Sequence, residues 1–247
     1  MEKIADGIEI WCADFMDVPL ESVNHIITDP PYEQRSHDAI GRIRRNDGAK
    51  KATPIDFDGI DKMRNDVAWM AKQVCDGWFL AFCTTEGVAL WRDAIELHKL
   101  KYKTPMIWVK PDAMPKFNGQ GPSHGHECIV TAWCSPGYSR WNGGGRRGIL
   151  THYCNPKSRD GRHRTEKPLS LMCELILLFT NPGDTILDPF MGSGSTGVAC
   201  LRLGRKFIGI EINEEYYAIA KDRLTKAAAQ PDMFVNEYRK PVQGKML

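Results

Sequence analysis

The sequence has no long hydrophobic run. Its longest apolar stretches, 78–83 and 175–179, fall well short of the roughly 20 residues that a bilayer-spanning helix needs. Residues 1–11 alternate charged and apolar side chains and lack a signal peptide's hydrophobic stretch, so a cytoplasmic protein with no membrane partner is expected. Charge of one sign is also missing. The 33 Lys and Arg nearly cancel the 31 Asp and Glu, leaving +2, so no global basic character announces nucleic acid. None of the eight cysteines forms a CxxC pair, and most lie in apolar runs where thiols act as small hydrophobes. His124, His126, Cys128 and Cys134 alternate, but without the symmetric ligand pairs of structural zinc, so no metal is expected. With 247 residues, 42% apolar and 26% charged, an ordinary globular domain remains.

Short β-rich runs alternate with helical patterns, which predicts a parallel sheet covered by helices. Strands are expected at 25–28, 78–83, 105–109, 127–133, 185–187 and 206–210. Helices are expected at 60–75, 86–99, 167–180, 197–203 and 214–226, the last capped by Asn213. Two basic stretches interrupt the rhythm. Residues 33–51 carry Arg35, Arg42, Arg44, Arg45, Lys50 and Lys51. Residues 137–167 carry Arg140, Arg146, Arg147, Lys157, Arg159, Arg162 and Arg164, with Tyr138, Trp141 and Tyr153 interleaved and a Gly143-Gly144-Gly145 hinge. Cations and aromatics on loops suit phosphate contact plus base stacking, and equally a solvated loop.

Two motifs carry chemistry. Asp29-Pro30-Pro31-Tyr32 follows the 25–28 strand directly. Its prolines freeze an extended bend that presents the Asp29 carboxylate and the Pro30 carbonyl at the sheet's carboxyl edge. Two fixed acceptors suit an amino group with two N–H donors, and Tyr32 offers a face for the ring that bears it. The second motif, Asp188-Pro189-Phe190-Met191-Gly192-Ser193-Gly194-Ser195-Thr196, joins a strand to a helix. Its glycines admit a ligand close to the backbone, and Glu211, ending the next strand, is placed to grip ribose hydroxyls. The third glycine of the dinucleotide fingerprint is missing, so a nucleoside with a short charged tail fits better than a pyrophosphate.

Together these motifs closely resemble the S-adenosylmethionine-dependent DNA amino-methyltransferases, in the permuted β order with the catalytic motif first. Ala13-Asp14 resembles the segment whose Asp contacts the cofactor's adenine. Thr165-Glu166-Lys167-Pro168 resembles the element whose Lys helps to hold the cofactor's methionine end. Trp108-Val109-Lys110-Pro111 and His126-Glu127 resemble the family's middle section.

The resemblance implies a Rossmann-like α/β fold with a mostly parallel seven-stranded sheet and helices on both faces. It divides the chain into a catalytic half (1–134, with a basic loop at 33–59), a short target-recognition insertion (135–164), a cofactor half (165–230) and a tail (231–247). It implies S-adenosylmethionine as cofactor, duplex DNA as partner and methyl transfer to a flipped-out base. Asp29, Pro30 and Tyr32 would act on the amine. Asp14, Lys167, Asp188, Phe190, Gly192, Gly194, Ser195 and Glu211 would hold the cofactor. Arg42, Arg44, Arg45, Tyr138, Arg140, Arg146, Arg147, Arg159 and Arg162 would contact DNA, with reading shared between the two basic stretches or with a second copy in a homodimer. Cytosine-directed relatives more often have Ser in place of Asp29, which favours adenine N6 over cytosine N4. A catalytically silent DNA-binding subunit would have no need of both motifs.

Overall fold

The computed structural model of the protein describes residues 1–32, 59–115, 117, 120–154 and 166–229. Among the described residues nine strands form one sheet: β1 (Glu2–Ala5), β2 (Ile8–Cys12), β3 (His25–Thr28), β4 (Trp78–Cys83), β5 (Lys101–Val109), β6 (His126–Trp133), β7 (Ile149–Thr151), β8 (Thr185–Asp188) and β9 (Lys206–Glu211). Their order across the sheet is β1-β2-β9-β8-β3-β4-β6-β5-β7. Strands β2, β9, β8, β3 and β4 run parallel, β6 runs against both neighbours, and β1 pairs antiparallel with β2. The described helices are α1 (Arg64–Val74), α2 (Gly87–Leu97), α3 (Leu169–Phe179), α4 (Ser195–Leu203) and α5 (Glu214–Ala229). No helix among the described residues is long and apolar enough to cross a membrane.

The alternation of β4 shows why the sheet is covered twice. Trp78, Leu80 and Phe82 enter one apolar core with residues of α3, α4 and α5. Phe79, Ala81 and Cys83 enter a second core with residues of α1 and α2. Successive side chains point to opposite faces, so a strand buried on both reads as one continuous apolar run.

The resemblance implies seven strands, of which the sequence pattern predicts six; the structure has nine among the described residues, the additions being β1, β2 and β7. β1 folds back on β2, and the three-residue β7 pairs in parallel with β5. None of the three was expected from the sequence, because β1 and β2 are short with charged residues between their apolar ones, and β7 is too brief to show a period. β5 is also longer than the expected 105–109. Pro105 lies where the β5–β6 register shifts between Lys103 and Met106, an irregularity that tolerates a residue without an N–H. Asn213 caps α5 as expected, its Oδ1 accepting from the amides of Glu215 and Tyr216 at 2.9 and 3.1 Å.

One feature of this topology positions the site. From β8 the chain turns through α4 to β9 on one side, whereas from β3 it turns through α1 to β4 on the other. The adjacent carboxyl ends of β3 and β8 are therefore a topological switch point, where connections part and leave a crevice.

Candidate active site at the switch point

Asp29 leaves the end of β3 and the Asp188–Gly194 turn leaves the end of β8, so both motifs open onto this crevice. Behind them, Asp188 is buried and turned inward. It accepts from the hydroxyls of Thr28 and Thr196 at 2.8 and 2.6 Å and from the Phe190 amide at 3.2 Å. Burial raises its pKa to about 7, although these donors oppose the shift. Asp188, expected among the cofactor residues, pins the glycine turn to the strand that carries Asp29.

On the catalytic side, Asp29 meets Lys167, whose Nζ donates to Asp29 Oδ2 at 2.5 Å and to the Tyr32 hydroxyl at 3.1 Å. Tyr32 in turn donates to Glu127 Oε2 at 2.6 Å, and Lys110 pairs with Glu127 Oε1. The Lys167 ammonium also lies 5.3 Å from the Tyr32 ring centre and 4.8 Å from that of Phe82. Two carboxylates thus face two ammonium groups across one phenol, with Pro30 buried behind Asp29. Burial pushes the Asp29 carboxyl above its usual range, with Lys167 opposing. Glu127 ends below the carboxylate range, since Lys167 and Lys110 outweigh its burial. Burial and the neighbouring carboxylates keep the Tyr32 phenol protonated.

The resemblance implies Lys167 as a cofactor residue; its ammonium is held here by Asp29 and Tyr32. Glu127 and Lys110 were seen in the sequence only as part of a resemblance and not as site residues. They arrive through pairing of β6 with β5, where Trp108 stands opposite Glu127. No local pattern announces such a partner 95 residues from Tyr32.

On the other side of the crevice, the buried Glu211 accepts from the Gly192 amide at 3.0 Å and the Asn213 amide at 2.8 Å, one on each oxygen. Burial raises its pKa. Its remaining lone pairs are acceptors, which suit the hydroxyls of a vicinal diol. Gly192 has φ +51°, and a Cβ there would meet nothing within 4 Å, so the backbone faces open space that a ligand can approach. Gly194, by contrast, packs its open side against Ala220. β2 brings Asp14 alongside, because Cys12 pairs with Glu211 and the Ala13 amide donates to the Glu211 carbonyl. Phe190 is half-buried against Phe15, with ring centres 5.2 Å apart. The Ser195 hydroxyl lies against Glu166 and Arg223, and Arg223 also donates to the Ser193 carbonyl at 2.7 Å. This network, missed in the sequence, ties the segment before α3 to the glycine turn. The residues present therefore fit a nucleoside-bearing cofactor.

The basic segments divide differently from expectation. After β6 the chain leaves by the amino edge, where the Cys134 amide donates to the Gly77 carbonyl and Trp78 Nε1 to the Arg140 carbonyl. Tyr138 is 98% exposed there. The chain then climbs past α3, where Arg146 pairs with Glu174 and Arg147 stays exposed, into β7. The structure does not bring Tyr138, Arg140, Arg146 or Arg147 to Asp29. Nor is the triglycine a free hinge: a Cβ on Gly143 would lie 2.2 Å from the Trp141 ring, whose Nε1 donates to the Gly144 carbonyl at 2.8 Å. Arg42, Arg44, Arg45, Arg159 and Arg162 lie outside the described residues.

Comparison with known proteins decides the family. The DNA methylase family of N6 and N4 methyltransferases matches residues 23–222. The chain belongs to that family. It is 35% identical over 145 residues to the type II methyltransferase M.Cfr9I of Citrobacter freundii, covering 54% of this chain and 48% of that one. It is 27% identical over 256 residues to M.HinfI of Haemophilus influenzae, covering 87% and 66%. The chain thus spans about half the length of the first relative and two thirds of the second. Among solved structures, the complex of M1.HpyAVI with S-adenosylmethionine superposes with a TM-score of 0.67 at 27% identity, covering 88% of this chain and 98% of that one. The cytosine-N4-specific PvuII DNA methyltransferase shares the fold at a TM-score of 0.62 and 16% identity, covering 90% and 93%.

Proposed function

We propose that the protein transfers a methyl group from S-adenosylmethionine to the N6 amine of adenine in duplex DNA. The observation that carries this reading is the shared crevice, where an acceptor-bearing bend and a glycine turn held by Glu211 leave neighbouring parallel strands. Bound S-adenosylmethionine supplies an electrophilic methyl on a sulfonium. Glu211 would hold the ribose hydroxyls, Asp14 and the half-buried Phe190 would flank the purine, and the Gly192 turn, with Gly194 and Ser195 opening α4, would lie against the tail.

An adenine amine is a poor nucleophile because its lone pair is delocalised into the ring. Asp29 and the Pro30 carbonyl would accept hydrogen bonds from its two N–H groups, favouring the pyramidal nitrogen that attacks; the N–C bond would form as the S–C bond breaks to leave a neutral thioether, and Asp29 would take the one proton that the methylated nitrogen sheds. For this the amine must displace Lys167 from Asp29. The base must also leave the duplex, at a cost of a few kcal/mol, and stacking on Tyr32 would return about 1–3 kcal/mol.

DNA would approach the carboxyl edge. Residues 33–58 begin at Tyr32 and end beside Ile60, whose amide donates to the Tyr32 carbonyl at 3.4 Å. Residues 155–165 join Cys154, whose amide donates to Asp112 at 2.7 Å, to Glu166 beside Lys167. The described residues that flank the two basic stretches, Tyr32 and Ile60 for one and Cys154 and Glu166 for the other, lie at this edge, and Arg42, Arg44, Arg45, Arg159 and Arg162 are our candidates for contacting DNA there. The test is transfer of labelled methyl from S-adenosylmethionine to unmethylated genomic DNA, followed by nucleoside analysis. N6-methyladenine is expected. N4-methylcytosine would overturn the choice of base, and unlabelled DNA the reading itself.

A further inference from the structure

We propose that Glu127 is a positioning residue for methyl transfer: it fixes Tyr32 through its hydroxyl and receives the Lys167 ammonium when a target amine takes Asp29. This inference rests on the reading of the site just given.

Lys167 cannot swing into water when it is displaced. Its side chain is 9% exposed and walled by the rings of Tyr32 and Phe82. A buried ammonium without a counter-charge is strongly unfavourable, so it needs a second carboxylate within reach. Glu127 Oε2 is already 3.5 Å away, just beyond the Tyr32 hydroxyl that Lys167 contacts. Lys110 engages the other oxygen, Oε1, leaving Oε2 to face the site. The same oxygen accepts from Tyr32 at 2.6 Å, which fixes the end of the ring on which a flipped base would stack. A free phenyl face would suffice for stacking, so Tyr32→Phe would be harmless on sequence grounds alone. Here the hydroxyl is a shared partner of Glu127 and Lys167.

The charges facing Asp29 are Lys167, Glu127 and Lys110, with buried Asp188 behind the crevice; the Cys83 thiol faces Tyr32. Glu127 raises the Asp29 pKa and Lys110 lowers it, so their replacements act with opposite sign.

The experiment measures kcat, cofactor dissociation constant and the pH profile of kcat/KM for unmethylated genomic DNA, which reports groups of the free enzyme. Wild type must first label DNA; if it does not, the reading of function fails, separately from this proposal. Glu127→Gln, nearly isosteric, should lower kcat at least tenfold with cofactor affinity within twofold, and move the acid limb to lower pH. Glu127→Asp should return the limb toward its original position. Lys110→Gln should move it to higher pH, and this carries the test should Glu127→Gln melt at a much lower temperature. A kcat within threefold of wild type in Glu127→Gln would overturn the proposal. So would limbs that stay put, or that move the same way in the Glu127→Gln and Lys110→Gln variants.

Discussion

The two edges of this sheet use similar residues to opposite ends. At the amino edge polar side chains are locked in the structure. His25 bridges the Trp78 amide and Asp184 at 3.0 and 3.1 Å, and Asn142 donates to the carbonyls of Leu177 and Thr180. Buried Arg205 reaches the carbonyls of Leu203 and Thr180. At the carboxyl edge the groups we propose for the reaction stand at the crevice: Lys167 holds Asp29, and Glu211 holds the Gly192 turn, whose backbone faces open space. What separates them is strand direction. Parallel strands that part at a switch point leave a crevice at their carboxyl ends, whereas at the amino ends the incoming loops close over the sheet.

The sharpest way to break this contrast is to empty the acceptor on the reactive edge. Asp29→Ala should reduce kcat by more than about 1,000-fold, comparable with the loss of a strong transition-state electrostatic partner. Calorimetric cofactor affinity should stay within twofold. Glu211→Ala should do the reverse, raising the cofactor dissociation constant about 10- to 100-fold, or about 1.4–2.7 kcal/mol, with kcat at saturation little changed. On the amino edge, Gly143→Ala should drive a methyl into the Trp141 ring and lower stability by about 1–3 kcal/mol, read by denaturant unfolding. Methyl transfer per folded molecule should be unchanged.

Asp188 sharpens the comparison through pH. Its folded pKa of about 7 stands above the ordinary carboxyl value, so the folded state binds a proton that the unfolded chain has released. Stability should therefore fall as pH rises from about 4 to 7, and Asp188→Asn should flatten that slope in thermal melts at several pH values. The smallest effects belong to single cations of the two basic stretches. Arg147→Ala should leave the KM for DNA within twofold. Arg159→Ala or Arg162→Ala should raise it and reduce the salt dependence of binding by about one ion.

Local signals in the sequence were sufficient for the parts built locally. The prolines after Thr28, the glycines after Asp188 and the Asn213 cap each set backbone conformation within a few residues, and the structure places them as expected. Non-local pairing was less legible. Glu127 and Lys110 join the site only because β6 lies between β4 and β5. Composition could not say on which edge residues 135–148 lie, since cations and aromatics look alike on either edge and only the antiparallel direction of β6 sends that segment away from Asp29. Asp188 reads as a ligand by its motif, yet Thr28 and Thr196 turn its carboxylate inward.

All of this depends on one crevice holding the methyl donor and the amine acceptor together. A crystal structure of the protein with S-adenosylmethionine measures that directly. The account predicts the ribose on Glu211, the tail against the Gly192 turn and the methyl directed toward Asp29, leaving room for a nitrogen about 3–3.5 Å from it. A cofactor seated elsewhere, or one whose methyl points away from Asp29, would contradict it.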